Sequence, residues 1–299
     1  MWWTSASTSE VGGLPPEARE EDRPTSLAAS FARGAILSSS GWRGICAADR
    51  GQDSLAAASE ESQAFFLVAA YCFARWLGTL GRSDAGGIFV ASDTRPTSAA
   101  LRLAVMRGVF AAGEAVRDAG EIGTPALLSW SRALAARGFV MVTASHNPPG
   151  WNGLKFGLGN GRVLDPGLSD ALLGQLRAFL EAGPEDRSTL LEAQSFLGLP
   201  EKPASAAAEA IEAYRKDILT VAGSSRRSAV PVLGELNGSA RIHADRAILP
   251  LLTDHCSFLN TDPGRFVHGI VPEGANLDAA RWALDQAASA RPLLALASG

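Results

Sequence analysis

Short apolar runs alternate with stretches of helical spacing along most of this 299-residue chain, and that alternation limits the possible folds more than any other feature. GGIFVAS at 86–92 is an apolar run behind a glycine pair, the signature of a buried strand. Thr97 or Ser98 stands where it can cap a helix over Ala99–Ala112, in which Leu101, Val105 and Val109 recur at helical spacing. A further strand is expected around Ala115–Arg117, a helix from Pro125 to Arg137, and a buried strand in GFVMVT at 138–143. Residues 60–80 also read as a helix. Strand, helix, strand, helix is the order of a layered α/β domain with a largely parallel sheet.

Beyond a stretch rich in Pro, Gly, Glu and Ser at 183–207, the pattern resumes. Helices are expected at 209–221, 240–253 and 276–290, with strands at 230–236, 256–260 and 292–297. The expected fold is therefore α/β: two consecutive α/β/α layered domains with mainly parallel mixed sheets. A disordered leader covers 1–30, a first domain 31–185, a linker 186–207 and a second domain 208–299.

Apolar residues make up 46% of the chain and charged ones 19%, against the roughly 25% charged residues of an average soluble domain, which argues for a folded protein. The 27 basic and 31 acidic residues give a net charge of −4 with no basic run, which argues against nucleic acid as a partner. The longest apolar stretch, Ala64–Ala74, has 11 residues before Arg75 interrupts it. A membrane span needs about 20. The amino terminus lacks the basic start and apolar core of a secretory signal. Cys46, Cys72 and Cys256 are scattered with no CxxC pair, the usage of reduced thiols in a cytoplasmic protein.

Three polar segments follow apolar runs: SSSGWRG at 38–44, SDTRPTS at 92–98 and TASHNPPGWNGLK at 143–155. In α/β sheets ligands sit beyond the carboxyl ends of strands. Ser145 lies two residues past such an end. Around this hydroxyl the segments supply Arg43, Arg95, Lys155 and Asp93. A guanidinium fork matches phosphate oxygens bidentately and an ammonium adds a point charge, so the set suits phosphate chemistry. A serine hydrolase is disfavoured, because G-x-S-x-G is absent and His146, adjacent in sequence, is poorly placed as a base. GLGNG at 157–161 reads as a hairpin, and no G-x-x-x-x-G-K-[ST] occurs. His243, His255 and His268 lack partners at metal-ligand spacing and receive no role.

TASHNP at 143–148, followed by NGLK at 152–155, resembles the phosphoserine loop of the α-D-phosphohexomutase superfamily, the phosphoglucomutase and phosphomannomutase enzymes. SGWRGI at 40–45, DTRPTS at 93–98 and GTPAL at 123–127 are similar to further segments of its first domain. LNGSA at 236–240 and PEGANL at 272–277 are similar to weaker landmarks of its second. Ser38, Ser39, Ser92 and Trp151 depart from the usual residues. The resemblance runs from about residue 34 to the end and takes in the first domain and most of the second. The family's aspartate-rich metal loop is expected where this sequence stops. The 299 residues therefore look like an incomplete piece of the enzyme, expected to be inactive alone.

The resemblance implies an isomerase, an intramolecular phosphotransferase that interconverts hexose 1-phosphate and hexose 6-phosphate. The route runs through phosphorylated Ser145 and a hexose 1,6-bisphosphate intermediate. It further implies Mg2+ bound through the phosphate on Ser145, with the aspartate ligands absent from this chain. His146 and Asn147 would orient the phosphoserine, Lys155 and Arg43 would serve proton transfer and charge stabilisation, and Asp93 and Arg95 would brace the loop. Trp42 leans toward glucose or mannose over glucosamine phosphates. The alternative is a non-catalytic remnant that binds sugar phosphate or a protein partner.

Overall fold

Phe65, Phe66, Val68, Ala69, Ala70 and Phe73 are buried around most of the circumference of helix α2 (Glu60–Thr79). A helix apolar on so many sides must be enclosed. Ser59 starts it by accepting the Ser62 amide at 3.1 Å, with Glu60 and Glu61 in the first turn, where the helix dipole favours negative charge. The computed structural model describes residues 23–81, 86–182, 205–223, 227–271, 273–288 and 294–297. The expected leader up to residue 22, and the expected linker up to residue 204, lie outside the described residues.

The first unit is a seven-stranded sheet in the order β1-β2-β6-β5-β3-β4, with β7 paired to β6. These strands are β1 (Ile36–Ser38), β2 (Gly41–Ile45), β3 (Ile88–Ser92), β4 (Val116–Glu121), β5 (Gly138–Val142), β6 (Trp151–Leu158) and β7 (Arg162–Val163). β3 pairs parallel with β4 and β5, while β6, β2 and β1 extend the sheet antiparallel. β3 is buried on both faces. Ile88 and Val90 join the core under α2, α3 (Ser98–Ala111) and α5 (Pro166–Glu181), and Phe89 and Ala91 join the core under α4 (Thr124–Ala133) and α6 (Ala207–Ala222). Helices thus cover both faces, which is why the strands read as continuous apolar runs.

The second unit is a three-stranded parallel sheet, order β10-β8-β9, from β8 (Val232–Glu235), β9 (Cys256–Leu259) and β10 (Leu294–Ala297). Helices α7 (Arg241–Leu252) and α8 (Ala275–Ala288) connect these strands. The mixed, open, layered α/β class is as expected. Among the described residues no helix is long and apolar enough to cross a membrane.

Several local expectations change. Residues 23–30 are not part of a leader but form helix α1 (Arg23–Gly34), because Ala28 is buried against the core and the Phe31 ring lies 5.0 Å from Phe65. The segments at 38–44 and 151–155 are mostly strand rather than loop. Ser38 pairs with Gly41 across a tight hairpin, and β6 fills the gap between β2 and β5. Their glycines and polar residues hide the strand, yet Gly153 is what lets β6 approach: a Cβ there would lie 2.5 Å from the Trp42 carbonyl oxygen.

Helix α4 ends at Ala133 instead of Arg137, since Ala135 turns left-handed (φ 47°) and the Arg137 amide donates to Gly87 O at 2.8 Å. GLGNG does form a hairpin turn, between β6 and β7, with Gly161 at φ 74°. Helix α6, expected with the second unit, lies on the first sheet, with Ala210 buried beside Trp130 and ion pairs joining Glu209 to Arg117 and Asp217 to Arg132.

Candidate functional site

The sequence after β5 cannot continue as a strand, because Pro148 and Pro149 remove two amide donors. The chain instead turns at Ser145, which adopts a left-handed conformation (φ 57°). For a residue with a Cβ this costs about 1–2 kcal/mol, so other contacts must hold it. The Ser145 amide donates to Thr143 Oγ1 at 3.1 Å, and its carbonyl accepts from Arg95 Nη2 at 2.7 Å.

Arg95 organises the whole loop. It is 4% exposed, and all five of its N–H groups are engaged. Nε donates to Asp93 Oδ2 at 3.1 Å, Nη1 to the carbonyls of Pro148 and Trp151, and Nη2 to those of Ser145 and Asn147. Burial pulls its pKa down, and the neighbouring Asp93 carboxylate acts against that shift. No N–H remains for a ligand. Asp93 is equally committed, accepting from the Arg95 amide at 3.1 Å, Ser98 Oγ at 2.5 Å and Thr143 Oγ1 at 2.8 Å.

Thr97 and Ser98, expected to cap α3, do not cap it by side-chain hydrogen bonds. Their hydroxyls each accept from Nδ2 of the fully buried Asn152 at 2.9 Å. A buried amide left unpaired would cost about 1–3 kcal/mol, at least as much as the typical ~1 kcal/mol of a cap. The result is one network joining the segments at 92–98 and 143–155: Asn152 to Ser98, Ser98 to Asp93, Thr143 to Asp93 and Ser145 to Thr143.

Above this frame the groups are left free. Ser145, His146, Asn147, Arg43 and Lys155 line one cleft together with Ser40 and Gly41. Arg43 on β2 sits opposite Gly153, and Lys155 on β6 sits opposite Met141, which places both cations on one face of the sheet. The Lys155 chain runs over Gly41, where a Cβ would meet its Cγ at 3.4 Å. The Arg43 side chain makes only a 3.5 Å contact to Ser40 Oγ, and neither the Lys155 nor the His146 side chain has a hydrogen bond or ion pair among the described residues. Ser145 and His146 are exposed. An exposed hydroxyl among uncommitted cations is an arrangement that receives an anion such as phosphate.

Ser145 and His146 also border a second cavity, at the junction of the two units, with Thr124, Asn237, Ser239 and Arg241 on its far wall. Thr94, between the two bracing residues, donates to the Gly238 carbonyl at 2.8 Å and ties that junction to the loop.

All seven site residues expected from sequence therefore lie in this region. Ser145, His146, Asn147, Arg43 and Lys155 form the cleft, and Asp93 and Arg95 lie beneath it. Thr143 and Asn152 had been given no role and Ser98 only that of a helix cap, although each stands within one of the polar segments. Trp42, 1% exposed and packed on Phe65 and Phe156, is a core residue whose side chain cannot read a sugar. Among the described residues no three His, Cys, Asp or Glu side chains are placed to hold a metal, and Asp93 is fully engaged by its protein partners.

Residues 38–179 match the family described as phosphoglucomutase/phosphomannomutase, alpha/beta/alpha domain I. The phosphoglucosamine mutase of Symbiobacterium thermophilum is 32% identical over 215 residues, which cover 70% of this chain and 43% of the relative. That of Streptococcus suis is 31% identical over 172 residues, 58% of this chain and 36% of the relative. The chain thus spans less than half the length of these curated relatives. A phosphoglucomutase/phosphomannomutase family protein from Burkholderia thailandensis shares the fold, with a TM-score of 0.56 at 20% identity, over 78% of this chain and 45% of that one.

Proposed function

Because this chain belongs, as a partial chain matched through residues 38–179, to the phosphohexomutase superfamily, we propose that Ser145 carries a phosphoryl group between the two ends of a hexose phosphate. The observation that carries the reading is the contrast at the site. The Ser145 backbone is held by Arg95 and Thr143, while its hydroxyl faces the uncommitted Arg43, His146 and Lys155.

In the proposed reaction a sugar hydroxyl oxygen attacks the phosphorus on Ser145, the new sugar O–P bond forms, and the Oγ–P bond breaks. The proton of the sugar hydroxyl passes through Lys155 or His146 and ends on Ser145 Oγ. The bisphosphorylated sugar then returns its other phosphoryl group by the same step in reverse. Splitting the transfer in two spares any direct reach between distant hydroxyls. Such transfers need positioning and charge neutralisation more than covalent help. Arg43 supplies a planar fork to the phosphoryl oxygens, and Asn147, beside the serine, orients them. The Mg2+ implied by the resemblance would be held through the phosphate oxygens on Ser145 and would help neutralise their charge.

The curated relatives named above are phosphoglucosamine mutases, so glucosamine phosphates are the first substrates to test, with glucose and mannose phosphates beside them. We place the reaction in the cytoplasm, a reading supported by three free thiols and no disulfide among the described residues. A second reading, a module that binds sugar phosphate without transferring it, is favoured by the lack of a cation-holding cluster among the described residues. Peptide mapping by mass spectrometry after incubation of the native-length protein with glucosamine 1,6-bisphosphate or glucose 1,6-bisphosphate separates the two. One phosphoryl group on Ser145, absent from Ser145→Ala, supports the transfer. Saturable binding with no label on Ser145 supports the module and overturns the transfer.

A further inference from the structure

We infer that Thr143 is a positioning residue for the proposed carrier, holding Ser145 in the one backbone conformation that presents its hydroxyl to the cleft; this rests on the phosphoryl-transfer reading. The need for such a residue comes from Ser145 itself. Its φ of 57° is unfavourable for a side chain, and no helix or sheet ladder holds it there. Two contacts do, one on each side of the residue: Arg95 on the carbonyl and Thr143 Oγ1 on the amide.

The Thr143 contact has a fixed direction. A hydroxyl has one proton, and an ionised carboxylate only accepts. Thr143 Oγ1 therefore gives its proton to Asp93 Oδ2 at 2.8 Å, which turns its lone pairs toward the Ser145 amide at 3.1 Å. Asp93 is held in turn by Ser98 Oγ, and Ser98 by Asn152. Each hydroxyl in this series accepts one hydrogen bond and donates one, so none can reverse without leaving a buried group unpaired. Thr143 is itself 8% exposed, and its own amide is fixed to Gly153 O at 2.9 Å on β6, the strand that carries Lys155. One residue thereby sets the serine and the lysine-bearing strand in a common frame.

The variant pair Thr143→Val and Thr143→Ser isolates the hydroxyl. Valine keeps the branched shape without the oxygen, and serine keeps the oxygen without the methyl. Two readouts are taken on the native-length protein: amide hydrogen exchange at Ser145 by NMR, and the rate of Ser145 phosphorylation by glucosamine 1,6-bisphosphate. In Thr143→Val the Ser145 amide should exchange about tenfold faster or more, because its local closure is lost. Its phosphorylation should slow by about tenfold or more, because small misplacements of a reacting group are costly. Thr143→Ser should stay close to the parent in both.

Unchanged Ser145 exchange in Thr143→Val overturns the inference, as does Thr143→Ser behaving like valine, which would assign the effect to packing of the methyl. Faster exchange with an unchanged phosphorylation rate overturns the link to reaction. If valine prevents folding, judged by thermal unfolding, Thr143→Ala carries the same comparison. A parent protein that is never phosphorylated on Ser145 would sink the transfer reading instead, and the exchange comparison still decides whether Thr143 holds the serine.

Discussion

Arg95 Nη2 donates to the carbonyl of Ser145 at 2.7 Å, so the buried cation of the site holds the serine's backbone and leaves phosphate to others. Arg95→Lys tests this division. A lysine has three donors on one atom and cannot reach four carbonyls and Asp93 as a planar fork does. Leaving part of this buried set unpaired should cost about 3–5 kcal/mol, the range for breaking a buried pair. Urea unfolding gives that number directly. A change below about 1 kcal/mol, the scale of an exposed pair, would mean the fork is dispensable.

Arg43 predicts the opposite balance. It is half-buried, and its single 3.5 Å contact to Ser40 contributes little to folding. Arg43→Lys should leave stability within about 0.5 kcal/mol, as for a surface change, while slowing phosphoryl uptake by Ser145 about tenfold or more through loss of the bidentate fork. Parallel urea unfolding and single-turnover labelling measure both. Lost stability with unchanged uptake per folded molecule would make Arg43 structural.

The left-handed turn at Ser145 gives a prediction free of chemistry. Ser145→Ala and Ser145→Gly both remove the hydroxyl, and neither should be phosphorylated. They should differ in stability, because glycine accepts φ 57° without the Cβ penalty that alanine keeps. Glycine should be the more stable by about 1 kcal/mol. Equal stability would show that the turn relaxes and is not enforced.

How much of this was legible in the sequence follows from the kind of signal each feature leaves. β3 and β5 were readable because both their faces are buried, which leaves unbroken apolar runs. β2 and β6 were not, because Gly41, Gly153, Asn152 and Lys155 interrupt the alternation at the positions that serve the site. Ser145, Arg43 and Lys155 could be named from local motifs. The pairing of Asn152 with Thr97 and Ser98 could not, because it spans more than fifty residues and displaces a cap that local rules favour. Trp42 failed in the other direction. Within the SGWRG segment it leaned toward glucose or mannose phosphates, but strand alternation turns its side chain into the core.

The cysteines set a pH dependence. Burial pushes the Cys46 and Cys72 thiols up to about 12, from 9.0 for an unperturbed thiol. Between those values the unfolded chain releases protons that the folded chain keeps. The stability linked to these thiols is therefore fully present below about pH 9 and is lost as pH rises through the window. Urea midpoints at about pH 8 and about pH 11 should fall less in a Cys46→Ala/Cys72→Ala variant than in the parent. At about pH 8, iodoacetamide should label the half-buried Cys256 before either buried thiol. Rapid labelling of Cys46 in the folded protein would contradict its burial.

The central claim is that Ser145 passes a phosphoryl group onward, and a label chase measures it most directly. Native-length protein is loaded with 32P from labelled glucosamine 1,6-bisphosphate, freed of excess sugar, and mixed with unlabelled glucosamine 6-phosphate. The account predicts label on Ser145 alone after loading, followed by its loss from the protein and its appearance in the bisphosphorylated sugar. Label on another residue, or label that stays on Ser145 while unlabelled sugar phosphate is present, would contradict it.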